Sequence, residues 1–185
     1  MDLTDLDTVK AWLGLPGAPG AGDALITQLI GAVSAFIEDY LSRTLAITAY
    51  VETYDGTGGS SILLRQYPIT AVQSVTFRGR TISVLADPAT GRNGLTFNGR
   101  RLTLVGDRFP KDAPVLVSYT AGYVTPPPAV AQAAVEIVGE AFRRRDRIGQ
   151  SSKSLGGQET VSFQTGDMNA AAKAMLASYQ SVVPV

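Results

Sequence analysis

Pro126-Pro127-Pro128-Ala129-Val130-Ala131-Gln132-Ala133-Ala134-Val135-Glu136-Ile137-Val138-Gly139-Glu140-Ala141-Phe142 decides how this chain divides. Prolines cannot donate to a sheet ladder, and a proline fits the first turn of a helix. The run therefore ends a β region and opens an α-helix. Val130, Ala134, Ile137, Val138, Ala141 and Phe142 recur at helical spacing and form its apolar stripe. The helix ends in Arg143-Arg144-Arg145-Asp146-Arg147-Ile148-Gly149. A polar arm follows over residues 149–166. Asp167 is then expected to cap a last helix with Met168, Ala172, Met175, Leu176 and Tyr179 on one face.

Upstream of the prolines, Ala46 to Tyr123 alternates and is rich in Thr, Val, Ile, Tyr and Phe. Strands are expected at 47–54, 61–64, 72–78, 81–85, 95–97, 101–105 and 115–120. Asn98-Gly99 reads as a two-residue type I′ hairpin turn, so this block is expected to be mostly antiparallel. Before it, Thr4 is expected to cap a short helix carrying Leu6, Val9, Trp12 and Leu13, stopped by Gly14. Leu15 to Gly22 reads as a flexible link. Asp23 is expected to cap a long second helix with Leu25, Leu29, Ile30, Val33, Phe36, Ile37, Tyr40 and Leu41 along its stripe. The fold class that follows is α+β: a helical bundle of about four helices, two N-terminal and two C-terminal, with an inserted mostly antiparallel β lobe. Residues 1–45 and 124–185 make the bundle, and 46–123 the lobe.

Composition narrows the chemistry. The 185 residues include no histidine and no cysteine. That removes the commonest general base, a thiolate nucleophile, disulfides, and His- or Cys-based zinc sites. Sixteen basic residues balance sixteen acidic ones, giving a formal net charge of zero. Dedicated nucleic-acid binders carry a basic excess, and a neutral chain suits self-association. No apolar run reaches the length of a membrane span. The chain is expected to be soluble and intracellular, with no membrane partner.

The groups that invite an enzymatic reading have simpler ones. Asp55-Gly56-Thr57-Gly58-Gly59 lacks the lysine and following helix of a phosphate loop, and lacks a second Asp-Thr-Gly, so it reads as a turn between strands. Glu136 and Glu140 lie one turn apart with arginines nearby, which favours ion pairing along the helix. Asp87, beside Pro88, Thr90 and Gly91, reads as a loop. Ser152-Lys153-Ser154 lies in a Gly/Ser-rich arm, not the rigid setting that a Ser–Lys pair needs. No catalytic, cofactor-binding or metal-binding residue is assigned, and no enzyme activity is expected. A hydrolase that uses carboxylates alone is the remaining enzymatic alternative.

Two features point to a partner. Arg143, Arg144, Arg145 and Arg147 are the one concentrated positive site, complementing either the helix dipole or an anionic partner. The arm carries Ser151, Ser152, Lys153, Leu155, Val161 and Phe163. Thr160-Val161-Ser162-Phe163 has strand character and could add to a neighbour's sheet edge. In the isolated subunit the arm is expected to be mobile.

The order of elements resembles the head–tail connector (adaptor) proteins of long-tailed bacteriophages and prophages. The pieces that carry the resemblance are Asp7–Leu13, Ala35–Leu41, Leu64–Ile69, Val117–Tyr123 and Arg145–Phe163. The resemblance implies a virion protein made in the host cytoplasm and placed at the head–tail junction. It implies a ring of copies, twelve-fold when assembled, docked beneath the portal protein. Such a ring offers a platform to the next head-completion or tail protein and lets DNA pass without sequence-specific binding. It places partner contacts on Ser151–Phe163 and on the face of Met168, Met175 and Tyr179. A stopper, a tail-terminator or a DNA-packaging accessory protein is the alternative within the virion.

Overall fold

The computed structural model describes residues 1–85, 93–145 and 168–181 in full, and 152–155 and 159–162 as backbone. Among them four helices and two antiparallel sheets of seven strands form an α+β fold, with a further strand pair late in the chain. The chain divides into two compact units. One comprises Met1–Ser42 and Pro126–Gln180, and the other is built on Arg43–Thr125.

In the helical unit, α1 is Leu6–Leu13, α2 Asp23–Leu41, α3 Pro128–Arg144 and α4 Ala170–Ala177. Helix α3 touches each of the other three. It starts with Pro128 in the first turn, as the proline run predicts. Val130, Ala133, Ala134, Val135, Ile137, Val138, Gly139 and Phe142 are buried along it. The small members of that set let neighbouring helices approach closely. A Cβ on Gly139 would fall 3.1 Å from the Trp12 indole. Helix α2 buries Ile26, Ile30, Val33, Ser34, Ile37 and Leu41, and leaves Phe36 exposed. It is apolar and long enough, at 19 residues, to cross a membrane by composition. Its buried residues face the helical unit, where it packs against α1 and α3.

Three caps differ from the sequence reading. Asp5, not Thr4, caps α1: its carboxylate accepts the Thr8 amide and the Thr8 hydroxyl, each at 2.8 Å. Gly22 takes the cap position of α2, and Asp23 lies inside the helix. Asn169 caps α4 by accepting the Ala172 amide at 2.6 Å, whereas Asp167 lies outside the described residues.

The β unit holds β1 (Thr48–Asp55), β2 (Ser61–Leu63), β3 (Ile69–Phe77), β4 (Arg80–Ile82), β5 (Gly94–Asn98), β6 (Arg101–Val105) and β7 (Pro114–Ala121). One sheet runs β1-β7-β3-β4 and the other β2-β6-β5, all antiparallel. Strand β7 alternates cleanly: Val115, Val117, Tyr119 and Ala121 are buried. With Leu95, Leu102, Leu104, Phe77 and Phe109 they form the shared core. The β5–β6 turn is shifted one residue from the reading. Asn98 pairs with Arg101, so Gly99-Arg100 form the loop. Arg78-Gly79 join β3 to β4 with φ of 50° and 72°, the positive values of a type I′ turn.

A polar cluster lies inside this unit. The Tyr119 hydroxyl donates to Glu52 Oε2 at 2.7 Å, and Tyr54 donates to the same oxygen. The two hydroxyls accept the Gln66 and Arg65 amides at 3.2 and 2.9 Å. Arg100 Nε donates to the Leu64 carbonyl at 3.1 Å, and Arg43 stacks over the Tyr67 ring at 3.8 Å. The connection from β2 to β3 is thus held at successive residues by side chains of other elements. Burial, reinforced by the Glu52 contact, pushes the Tyr54 hydroxyl up to about 12, and burial pushes Tyr119 in the same direction.

Adjacent residues of β7 should therefore separate core from surface. Val117→Ala removes fully buried methyls and is expected to cost about 2–3 kcal/mol in urea denaturation. Leu116→Ala, on the opposite face, should cost less than about 1 kcal/mol. The tyrosines predict alkaline sensitivity. A phenol whose folded pKa lies above its unfolded value of about 10 favours the native state fully below that pH. That contribution is lost as pH rises through about 12. Tyr54→Phe should flatten the fall, with stability and tyrosinate absorbance followed together.

Candidate functional site

Arg143, Arg144 and Arg145, at the end of α3, reach different surroundings. Successive helical residues turn by about 100°, so consecutive side chains point to different sides. Arg144 reaches back one turn, and its Nη2 donates to Glu140 Oε1 at 2.8 Å. The Arg145 guanidinium lies over the Phe142 ring at 4.0 Å from its centroid. Arg143 faces another recess entirely. Arg147 lies outside the described residues. Ion pairing and ring stacking thus reduce the mutual repulsion that a cluster of cations would carry.

Arg143 lines a recess of about 420 Å³ with Trp12, Glu136, Gly139, Glu140 and Asn169. Glu136 and Glu140 project from α3, Trp12 comes from the last turn of α1, and Asn169 is the α4 cap. Glu136 Oε1 accepts from Gln132 at 3.2 Å, so both glutamates are tied along their own helix. Trp12 is half exposed over this opening. Large aromatics left at a polar rim suit contact with another macromolecule.

A second recess, of about 450 Å³, lies between the 15–22 link and the end of α3, beside Phe142 and Arg145. The link is not free. Lys10 is 3% exposed, and its ammonium donates to the Ala18 carbonyl at 2.7 Å and to Asp23 Oδ2 at 3.0 Å. Asp23 also accepts the Gly20 amide at 3.1 Å. The Lys10 hydrogen bond, followed by that of Gly20, holds the Asp23 carboxyl below the usual carboxylate range. A Cβ at Gly22 would fall 3.3 Å from the Phe142 ring, so a larger residue there would require that ring to shift. Sequence reading missed this bridge. Its signal was a lysine on the apolar side of a short amphipathic helix.

Met168 precedes α4 and is 6% exposed, Met175 on α4 is half-buried, and Tyr179, also half-buried, lies in the turn after the helix rather than on it as the sequence suggested. Ser152, Lys153 and Leu155 fall in strand β8 (Ser152–Leu155), and Val161 in β9 (Glu159–Ser162). The two strands pair antiparallel, so backbone structure occurs where the sequence suggested an open arm. Ser151 and Phe163 lie outside the described residues, as does the Asp87 loop. The Asp55–Gly59 segment is a turn between β1 and β2. Its Gly56 amide donates to Ala113 at 2.9 Å, and a Cβ there would fall 1.8 Å from the Pro110 carbonyl oxygen. Among the described residues no group of three or more carboxylates converges as a metal would require.

The architecture, a helical unit split in sequence around an antiparallel β unit, is similar to that of chains in gene transfer agent particles. One is in the neck of an empty gene transfer agent (GTA) particle computed with C6 symmetry. It has a TM-score of 0.52 and 17% identity, with 97% of this chain and 90% of that one covered. Another, in the virion of a native gene transfer agent particle, gives the same values. A third, in the neck of a native GTA particle computed with C12 symmetry, has a TM-score of 0.50 and 15% identity, covering 88% and 85%. A comparison with curated protein sequences finds no match. The profile of one family, head completion protein, matches residues 2–182. The chain belongs to the head completion protein family, in agreement with the resemblance read from its sequence.

The Lys10 bridge has a measurable signature. Lys10→Met should speed proteolytic cleavage within the 15–22 link several-fold. It should also change the response to acid. A carboxyl whose folded pKa is depressed adds stability above its unfolded value of about 3.9, lost as pH falls through the lower folded value. In Lys10→Met the acid limb of the stability profile should become shallower, read by urea denaturation between neutral and acidic pH.

Proposed function

We propose that this chain is a structural, non-enzymatic protein of the virion head–tail junction, an adaptor that closes a ring on the portal and extends the DNA channel toward the tail. The observation that carries this reading is the match of the head completion family across residues 2–182. The fold adds support, since similar chains occur in the necks of particles computed with C6 and C12 symmetry. A ring needs a patch that binds a different patch on the next copy, and the chain offers distinct surfaces on its two units. Its zero net charge suits a channel wall, because a strongly basic wall would hold phosphates. The absence of histidine and cysteine fits a role in assembly rather than bond chemistry.

In this role Arg143, Trp12 and the half-buried face of α4 are the helical unit's contacts to the portal or the next protein of the neck. Light scattering over a wide concentration range, with and without the portal protein from the same genome, tests the reading. Concentration-dependent rings, or monomers that assemble on the portal, are the expected result. A strict monomer indifferent to the portal overturns it. Binding only to a preformed portal–adaptor complex would reassign the chain as a stopper.

A further inference from the structure

Among the described residues strand β1 is the outermost strand of its sheet, and one side of its backbone is paired with no described strand. Exposed edges of this kind template the addition of another strand, and folded proteins blunt them with lysine, proline, a bulge or an inward-pointing charge. Of these strand β1 has only the inward Glu52, which accepts from Tyr54 and Tyr119 within the unit. Its sequence is Thr48-Ala49-Tyr50-Val51-Glu52-Thr53-Tyr54-Asp55, and its ladder with β7 runs without a register shift. The β3–β7 ladder, inside the same sheet, does contain such shifts.

The solvent face beside that edge is also unusual. Inward positions of β1 are Tyr50, Glu52 and Tyr54, so Ala49, Val51 and Thr53 point outward, with Ile47 preceding them. Val51 is 69% exposed, Leu116 45% and Ile47 42%. Val51 sits opposite Ser118 and Thr53 opposite Leu116, so this part of the face carries no charge. An uncharged stripe along an open edge is a contact surface or an aggregation hazard.

The same chain holds a ribbon in the complementary condition. Among the described residues β8 and β9 form a sheet of two strands. An isolated two-stranded hairpin is marginal in water and gains most from a further strand. Its sequence suits the uncharged stripe: Ser152-Lys153-Ser154-Leu155 and Glu159-Thr160-Val161-Ser162 carry one positive and one negative residue, which balance. Resting on the ring reading above, we propose that the β8–β9 hairpin of a neighbouring copy adds to the free edge of β1. The four-stranded sheet then continues across the boundary between copies. The contact joins two different patches, so it propagates around a ring rather than closing a dimer.

The chain contains no cysteine, so introduced ones are unique reporters. Two differently tagged single-cysteine chains, Val51→Cys and Val161→Cys, are mixed under assembling conditions and treated with a short bis-maleimide. A covalent pair joining the two tags, in the assembled fraction only, is expected. A second variant, Val51→Lys, changes an exposed side chain and should leave the melting curve intact. It should raise the concentration for half-assembly by about tenfold or more, the scale of one lost desolvated contact. Three results would each overturn the pairing: rings in which these positions never crosslink, a double-cysteine chain that crosslinks only within itself, and normal assembly of Val51→Lys. Rings without the crosslink remove only the strand addition. Failure of the unmodified chain to assemble, alone or with portal, removes the ring reading and the pairing with it.

Discussion

Close approach along α3 is the constraint on which the helical unit rests. A helix that meets three others must present surfaces thin enough for each, and α3 does so with Ala133, Ala134 and Gly139 among larger apolar residues. The Trp12 indole occupies the space that a side chain at Gly139 would need. That contact explains why a tryptophan on a short helix is only half exposed and why it ends at the rim of a recess rather than in the core. Interior packing tolerates little volume change, so this small-residue face fixes where α1 and its tryptophan can lie.

Much of the architecture was legible from two periodicities. The strand β6 falls where alternation placed it, and β1, β2, β5 and β7 fall within a residue or two of their expected limits. Helix α3 and its stripe follow from the proline run and helical spacing, with Ala141 alone less buried than the pattern implies. Capping was less legible, because neighbouring residues offered equivalent oxygens. Thr4 and Asp5 can both cap, and only the extended backbone of Asp5, with φ −118° and ψ 165°, aims its carboxylate at Thr8. Asp23 looked like a cap, but its oxygen serves Lys10 and Gly20 instead.

The candidate sites were harder to read, for a different reason. A run of arginines reads as one charged patch when written along a line, yet a helix distributes them around its axis. Arg144 and Arg145 end on different partners, Glu140 and Phe142. Glu52 carried the opposite signal. It stands between Tyr50 and Tyr54 at the inward positions of an alternating strand, where a carboxylate must find donors. Those donors come from Tyr54 and from Tyr119, far along the chain, and no local pattern announces them.

The Lys10 bridge shows that composition alone does not decide how freely a segment moves. Leu15-Pro16-Gly17-Ala18-Pro19-Gly20-Ala21-Gly22 has the residues of a soft hinge. One ammonium group grips a carbonyl in its middle and a carboxylate at its far end. The corner between the first two helices is thereby set before any neighbour arrives. In the proposed ring, a subunit with that angle already fixed forfeits less motional freedom on joining its neighbours.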